Sequence, residues 1–213
     1  METNQLTPQQ SLRVIEQMIQ NTQQRVSTEG GLQFLIWGYA TVLTSIFYAL
    51  FEDYMGWNAG WIWLLIPILG TPLSIWTIMR ERKRQHFRSQ VDRFMTATWL
   101  VIGLNTFLAS AVYGIFSGIA IITLIGSASA ITGFSLRIRV LQICSILGLV
   151  LNYGAIFLDN ILPEMNFSST RFGLFFGLVF FIMNCIPGHY MYVRARRQQR
   201  LQQQNSQSNG TDH

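Results

Sequence analysis

Six stretches of this chain run without a formal charge for about one bilayer thickness each: Leu32–Phe51, Gly60–Met79, Phe94–Tyr113, Ile115–Phe134, Val140–Leu158 and Phe172–Val193. A helix of about 20 residues rises about 30 Å, the depth of a hydrocarbon core. Lipid offers the backbone no hydrogen-bond partner, so an apolar stretch of that length is predicted to be a transmembrane helix. Composition agrees, because half of the residues are hydrophobic and only 12% are charged, against about one-quarter charged in soluble domains. The expected fold class is all-α, a polytopic membrane bundle of six helices arranged as three hairpins. The third and fourth windows nearly touch, which calls for a tight turn around Tyr113–Gly118.

Basic residues near span ends are held on the cytoplasmic side of a membrane. Arg13 and Arg25 precede the first window, and Arg80, Arg82, Lys83, Arg84, Arg88 and Arg93 separate the second from the third. Arg137 and Arg139 follow the fourth, and Arg194, Arg196, Arg197 and Arg200 follow the sixth, whereas the opposite side carries Arg171 with Glu52, Asp53, Asp159 and Glu164. Both termini are therefore expected in the cytoplasm. Trp57, Trp61 and Trp63 suit the outer interface and Trp37 and Trp76 the inner one, while Trp99 lies deeper and is expected to pack within the bundle. Arg-x-Arg pairs beginning at Arg80, Arg137 and Arg194 recur every 57 residues. Three hairpins of equal length give that interval with or without an ancient duplication.

The chain divides into a cytoplasmic amphipathic helix (1–31), a six-helix transmembrane domain (32–193) and a largely disordered, Gln-rich cytoplasmic tail (194–213). Thr7-Pro8-Gln9-Gln10 offers an N-cap with proline at the first helical position. Leu12, Ile15, Ile19 and Val26 then recur at helical spacing among Gln, Arg and Glu, and Gly30-Gly31 is expected to break the helix before the membrane. Such a face lies on the membrane surface or docks a protein partner. After Arg200 the sequence LQQQNSQSNGTDH holds one large apolar residue, too little to offset ordering entropy, although the Arg-Gln stretch to Gln204 suits a two-turn helical extension. No removable signal peptide is visible at the polar N-terminus.

Chemistry inside a bilayer usually requires an ionisable group, and no Asp, Glu, Lys or Arg lies inside the six windows. Carriers that depend on a buried carboxylate and intramembrane aspartyl proteases are thereby disfavoured. An intramembrane serine protease would need Ser127 or Ser129 to reach His189. Measured from the matching arginines, the height offsets are about 7.5 and 4.5 Å, against the roughly 3 Å of a Ser–His hydrogen bond. The glycine expected directly after a rhomboid-type nucleophile is also missing. Asn105, Asn152 and Asn184 are amides in apolar windows and are expected to face the bundle interior, either bridging helices or lining a polar cavity. Gly114-x-x-x-Gly118 and Gly173-x-x-x-Gly177 permit close helix contact, and Pro67, Pro72 and Pro187 are expected to kink their helices.

Arg80, Arg82, Lys83, Arg84 and Arg88 form the densest basic run, suited to anionic lipid head groups on the cytoplasmic side. Lipid explains this run without nucleic acid. Cys144 and Cys185 both fall in apolar windows, so neither a disulfide framework nor a cysteine zinc site is expected, and no cofactor is called for.

The run SLRVIEQMIQNTQQRVSTEGGLQFLIWGY, in which the amphipathic segment leads into Phe34-Leu35-Ile36-Trp37-Gly38-Tyr39, resembles a family of uncharacterised bacterial inner-membrane proteins of about this length. The likeness covers the N-terminal helix and the first span. It implies a multi-pass location in the bacterial inner membrane, genes beside a small winged-helix regulator, and an accessory or sensing role in envelope physiology. It supplies no catalytic residues. The expectation is a non-enzymatic protein that acts as an accessory, scaffold or sensor through its cytoplasmic face. A small permease for an uncharged or amphipathic solute and an intramembrane hydrolase are the alternatives.

Overall fold

The computed structural model describes the backbone of residues 8–82, 90–113, 117–161 and 169–208, with side chains for most of residues 30–80, 93–112, 118–161 and 170–201. Apart from the turn Leu136–Ile138, every described residue is helical. In chain order the elements are α1 (Pro8–Met55), a 3-10 segment (Gly56–Leu64), α2 (Leu65–Arg82), α3 (Gln90–Tyr113), α4 (Ser117–Ser135), α5 (Arg139–Ile161), α6 (Ser169–Phe180), a π turn (Phe181–Cys185) and α7 (Ile186–Ser208). Among the described residues, five segments are long and apolar enough to cross a membrane: Gly30–Met55, Asn58–Arg80, Gly118–Ser135, Arg139–Leu158 and Thr170–Arg197. Helix α3, 24 residues long, is the further long apolar helix. This is a helical bundle consistent with a multi-pass membrane protein.

Pro8 opens α1, as its fixed φ suits the first turn. Gly30-Gly31 does not break it: the helix runs unbroken for 48 residues, about 72 Å. A mid-helix glycine costs about 1 kcal/mol of propensity, and that is too little to stop a helix whose neighbour occupies the space left by the missing Cβ. The stop comes at Gly56, which takes φ +54° and ends α1. Ala59 and Ile62 of the 3-10 segment then pack on Tyr48 of α1. Pro67 lies in the first turn of α2, where its missing N–H disturbs little, so Pro72 is the proline inside that helix.

The long apolar stretch between Phe94 and Phe134 does divide in two, with 114–116 outside the described residues. Helix α4 ends in a Schellman turn. Arg137 takes φ +54°, Ile138 N–H donates to the Gly133 carbonyl at 2.9 Å and Arg137 N–H to Phe134 at 3.2 Å. Glycine usually fills that left-handed position. Helix α7 continues to Ser208, well past the expected start of a disordered tail at 194, because the Arg, Gln and Leu residues after Gly188 are good helix formers. Residues 209–213 lie outside the described set.

The tightest packing crosses the hairpins. From Gly30 onward helix α1 is covered by α6, the π turn and α7, and α4 lies against α5, while α3 rests mainly on α4. The principal core joins Ile122, Phe176, Val179, Phe180 and Met183, and a second cluster at the arginine end joins Phe34, Ile138, Leu141 and Met191. Trp99 packs on this second cluster, its ring edge-on to Phe34 at 5.4 Å. Trp63 is packed between Tyr48 and Phe176.

Candidate functional site

The part of the molecule that joins the candidate docking segment to the bundle is the seam between α1 and the α6–α7 rod. Small residues set its register. A Cβ added at Gly31 would meet Met191 and the backbone of Tyr192 and Gly188, one at Gly38 would meet Cys185 and Asn184, and one at Gly177 would meet Ser45. Gly173 lies against Tyr48, and Thr170 Oγ1 donates to Glu52 Oε2. Residue numbers rise on α1 as they fall on α6–α7, so the two run antiparallel in one register. Gly31, Gly38, Ser45 and Glu52 are spaced seven apart, the period that keeps one face of a helix toward its neighbour. Gly173-x-x-x-Gly177 is thus used within the chain. The hydroxyls of Thr41, Thr44 and Ser45 bond to carbonyls four residues back, which leaves this buried face without a polar demand on its neighbour.

The seam also holds the one π turn among the described residues. Ile186 N–H reaches back to the Phe181 carbonyl, five residues away, immediately before Pro187. The wider turn absorbs a proline that has no N–H to offer the preceding turn, so Pro187 is accommodated by local rewinding. Within this turn Met183 is fully buried and fills notches at Gly126 of α4 and Gly148 of α5. Asn184 is buried against Gly38, and its Oδ1 has no hydrogen-bond partner among the described residues.

The three asparagines are not brought together. Asn152 faces α4, where Nδ2 donates to Thr123 Oγ1 at 3.2 Å and to the Ile119 carbonyl at 3.4 Å, and its Oδ1 has no partner among the described residues. Asn184 faces α1. Asn105 does not face the interior at all: it is exposed on α3 and its Nδ2 bonds back to the Val101 carbonyl at 2.8 Å. Helix α3 has only one broadly packed side, and Asn105 falls outside it. These positions line no shared path. A shallow open groove along α2, with Pro67, Thr71, Pro72 and Trp76 in its wall, is almost wholly apolar.

The Ser–His pairing is not made either. Ser129 is fully buried, its Oγ without a partner among the described residues, while His189 Nε2 lies 2.7 Å from the Tyr39 hydroxyl at an exposed position. Sequence reasoning missed that Tyr39–His189 pair, because its partners lie 150 residues apart and neither sits in a motif.

Of the basic run, Arg80 is described, its guanidinium 5.6 Å from the centre of the Trp76 ring one helical turn away. Arg82 lies in the last turn of α2, and Lys83, Arg84 and Arg88 fall outside the described residues. Leu12, Ile15, Ile19 and Val26 are helical positions of α1 whose side chains lie outside the described set. At the same end of the bundle, Ala195 of α7 is fully buried and Arg196 stacks over Tyr192 at 4.7 Å.

No family model matches this chain, and neither the curated proteins nor the solved structures provide a match.

Proposed function

We propose that the chain is a six-span protein of the bacterial inner membrane, with both termini cytoplasmic, that acts by interaction as an accessory, scaffold or sensor. The observation that carries this reading is the continuity of α1. Residues 8–29 extend about 33 Å beyond the first apolar segment without a break, and the same helix packs against α2, α6 and α7 inside the bundle. A partner bound at Leu12, Ile15, Ile19 and Val26 therefore pulls on a helix packed against three other helices of the bundle. The resemblance of the N-terminal run to bacterial inner-membrane proteins points the same way, as does the balance of basic residues. Arg80, Arg82, Lys83, Arg84 and Arg88 on that side would hold anionic head groups at about 1 kcal/mol each.

Changing Ile15 and Ile19 together to Asp tests the reading. Each buried side chain is worth about 1.5–3 kcal/mol, so the double variant should lose a co-purifying protein from native membranes while its membrane yield is kept. An unchanged set of associated proteins would refute a docking role for this face. Reporters fused after Arg200 and between Arg80 and Arg93 should read cytoplasmic, and one near Asn160 external. The reverse pattern would overturn the orientation.

A further inference from the structure

Helix α3 presents a polar group where lipid cannot satisfy it. Asn105 lies 12 residues after Arg93 and eight before Tyr113, about 18 and 12 Å along the axis, which in the six-span reading proposed above, on which this inference rests, sets it near the middle of a hydrocarbon core. It is exposed, and its Oδ1 accepts no hydrogen bond among the described residues. Two hydroxyls of the helix meet their own needs, since Thr98 Oγ1 donates to the Phe94 carbonyl and Ser110 Oγ to that of Thr106, whereas the Thr106 hydroxyl is buried without a partner among the described residues on the side packed inside the chain. The amide is also not isolated in pattern. Phe94, Thr98, Val101, Asn105, Leu108 and Val112 follow one another at intervals of four and three, a heptad seam with Asn at its centre. Phe94, Val101, Leu108 and Val112 are all more than half exposed. A parallel stripe through Met95, Trp99, Ile102, Thr106 and Ala109 is the half-buried one, so the seam with Asn105, in which Thr98 alone is half-buried, is a second and largely uncovered face among the described residues.

We infer that this face docks a second copy of the same chain, with α3 against the partner's α3 and Asn105 hydrogen-bonded to the partner's Asn105. Three physical points select this occupant. A carboxamide is both donor and acceptor, so two copies about a two-fold axis satisfy each other with no second residue type. Two copies inserted with one topology have parallel α3 helices, and a parallel heptad seam sets position 105 level with itself. Asn at such a position in lipid is stabilised by pairing across helices, because the alternative is an amide in hydrocarbon. The side of α3 with Leu100, Leu104 and Phe107 carries no carboxamide that could pair with its own copy and is left to lipid.

The test uses the full chain in proteoliposomes, with the buried Cys144 and Cys185 changed to Ala. Single cysteines at Val101, Leu108, Leu104 and Phe107 are oxidised at increasing lipid dilution. Val101→Cys and Leu108→Cys should give disulfide-linked dimers, and Leu104→Cys and Phe107→Cys should not. Single-molecule photobleaching should find two copies per spot, with dissociation made easier about three- to twenty-fold by Asn105→Leu and much less by Asn105→Gln. A monomer at every dilution overturns the proposal, and so does cross-linking confined to residues 104 and 107. A monomer that retains a different membrane protein through α3 overturns it equally, since the occupant would not be a second copy. Dimers that are indifferent to Asn105→Leu contradict the role given to the amide.

Discussion

Met183 locks the π turn to α4 and α5, and two glycines of α5 let that lock be measured on one helix. A Cβ added at Gly148 would stand 2.1 Å from Met183 Cγ and 2.2 Å from Sδ, so the buried side chain must leave its place. Added at Gly154, the same Cβ meets nothing within 4 Å. Both substitutions to Ala gain helix propensity of about 0.5–1 kcal/mol. Only the first then adds overpacking of about 1–3 kcal/mol. Gly154→Ala should therefore stabilise slightly, Gly148→Ala should destabilise by up to about 2 kcal/mol, and the two should differ by about 1–3 kcal/mol. Shortening Met183 to Ala removes the colliding atoms, so Gly148→Ala should cost less in that background, with a coupling of about 1 kcal/mol or more. Equilibrium unfolding in mixed micelles, titrated with a denaturing detergent, reads the parent and the four variants. Equal effects of the two glycine substitutions, or zero coupling to Met183, would refute the packing described for the π turn.

The turn between α4 and α5 and the interior amides give two further expectations. Arg137 holds a left-handed backbone that costs a non-glycine residue about 1–2 kcal/mol, so Arg137→Gly should raise stability by about 0.5–1 kcal/mol once glycine's extra unfolded-state freedom is deducted, as thermal unfolding would register. Asn152→Leu trades two long hydrogen bonds and an unsatisfied Oδ1 for apolar packing, and since such bonds average about 0.6 kcal/mol in membranes, the change should cost under about 1 kcal/mol in the same unfolding titration. A loss of several kcal/mol would mean that the amide holds more than those contacts.

The apolar windows were legible because charge is excluded from long helices in lipid, and the start of α1 was legible because Thr7-Pro8 is a local signal. Tertiary use of small residues was not. Gly30-Gly31 reads as a break when only propensity is weighed, yet at Gly31 the backbone of α7 comes close against α1. The difference is a contact with residues about 160 positions away, which no local window contains. Asn105 misled for a related reason. Its burial was inferred from what an amide needs, and the helix that carries it has only one side covered within a single chain. Pro187 was read correctly as a disturbance, but its remedy, a π turn, depends on Gly38, Gly126 and Gly148 standing around it.

The rigid continuity of α1 from its projecting half into the bundle is best tested by a distance across Gly30-Gly31. Spin labels on cysteines at Gln20 and the exposed Leu43, in the Cys144→Ala and Cys185→Ala background in proteoliposomes, span 23 residues of one helix. An unbroken helix sets them about 35 Å apart, and double electron–electron resonance should return a single narrow distribution near that value. A broad distribution, or one centred below about 25 Å, would mean a hinge at the glycine pair and would contradict the proposal that a partner at the N-terminal half acts on the bundle.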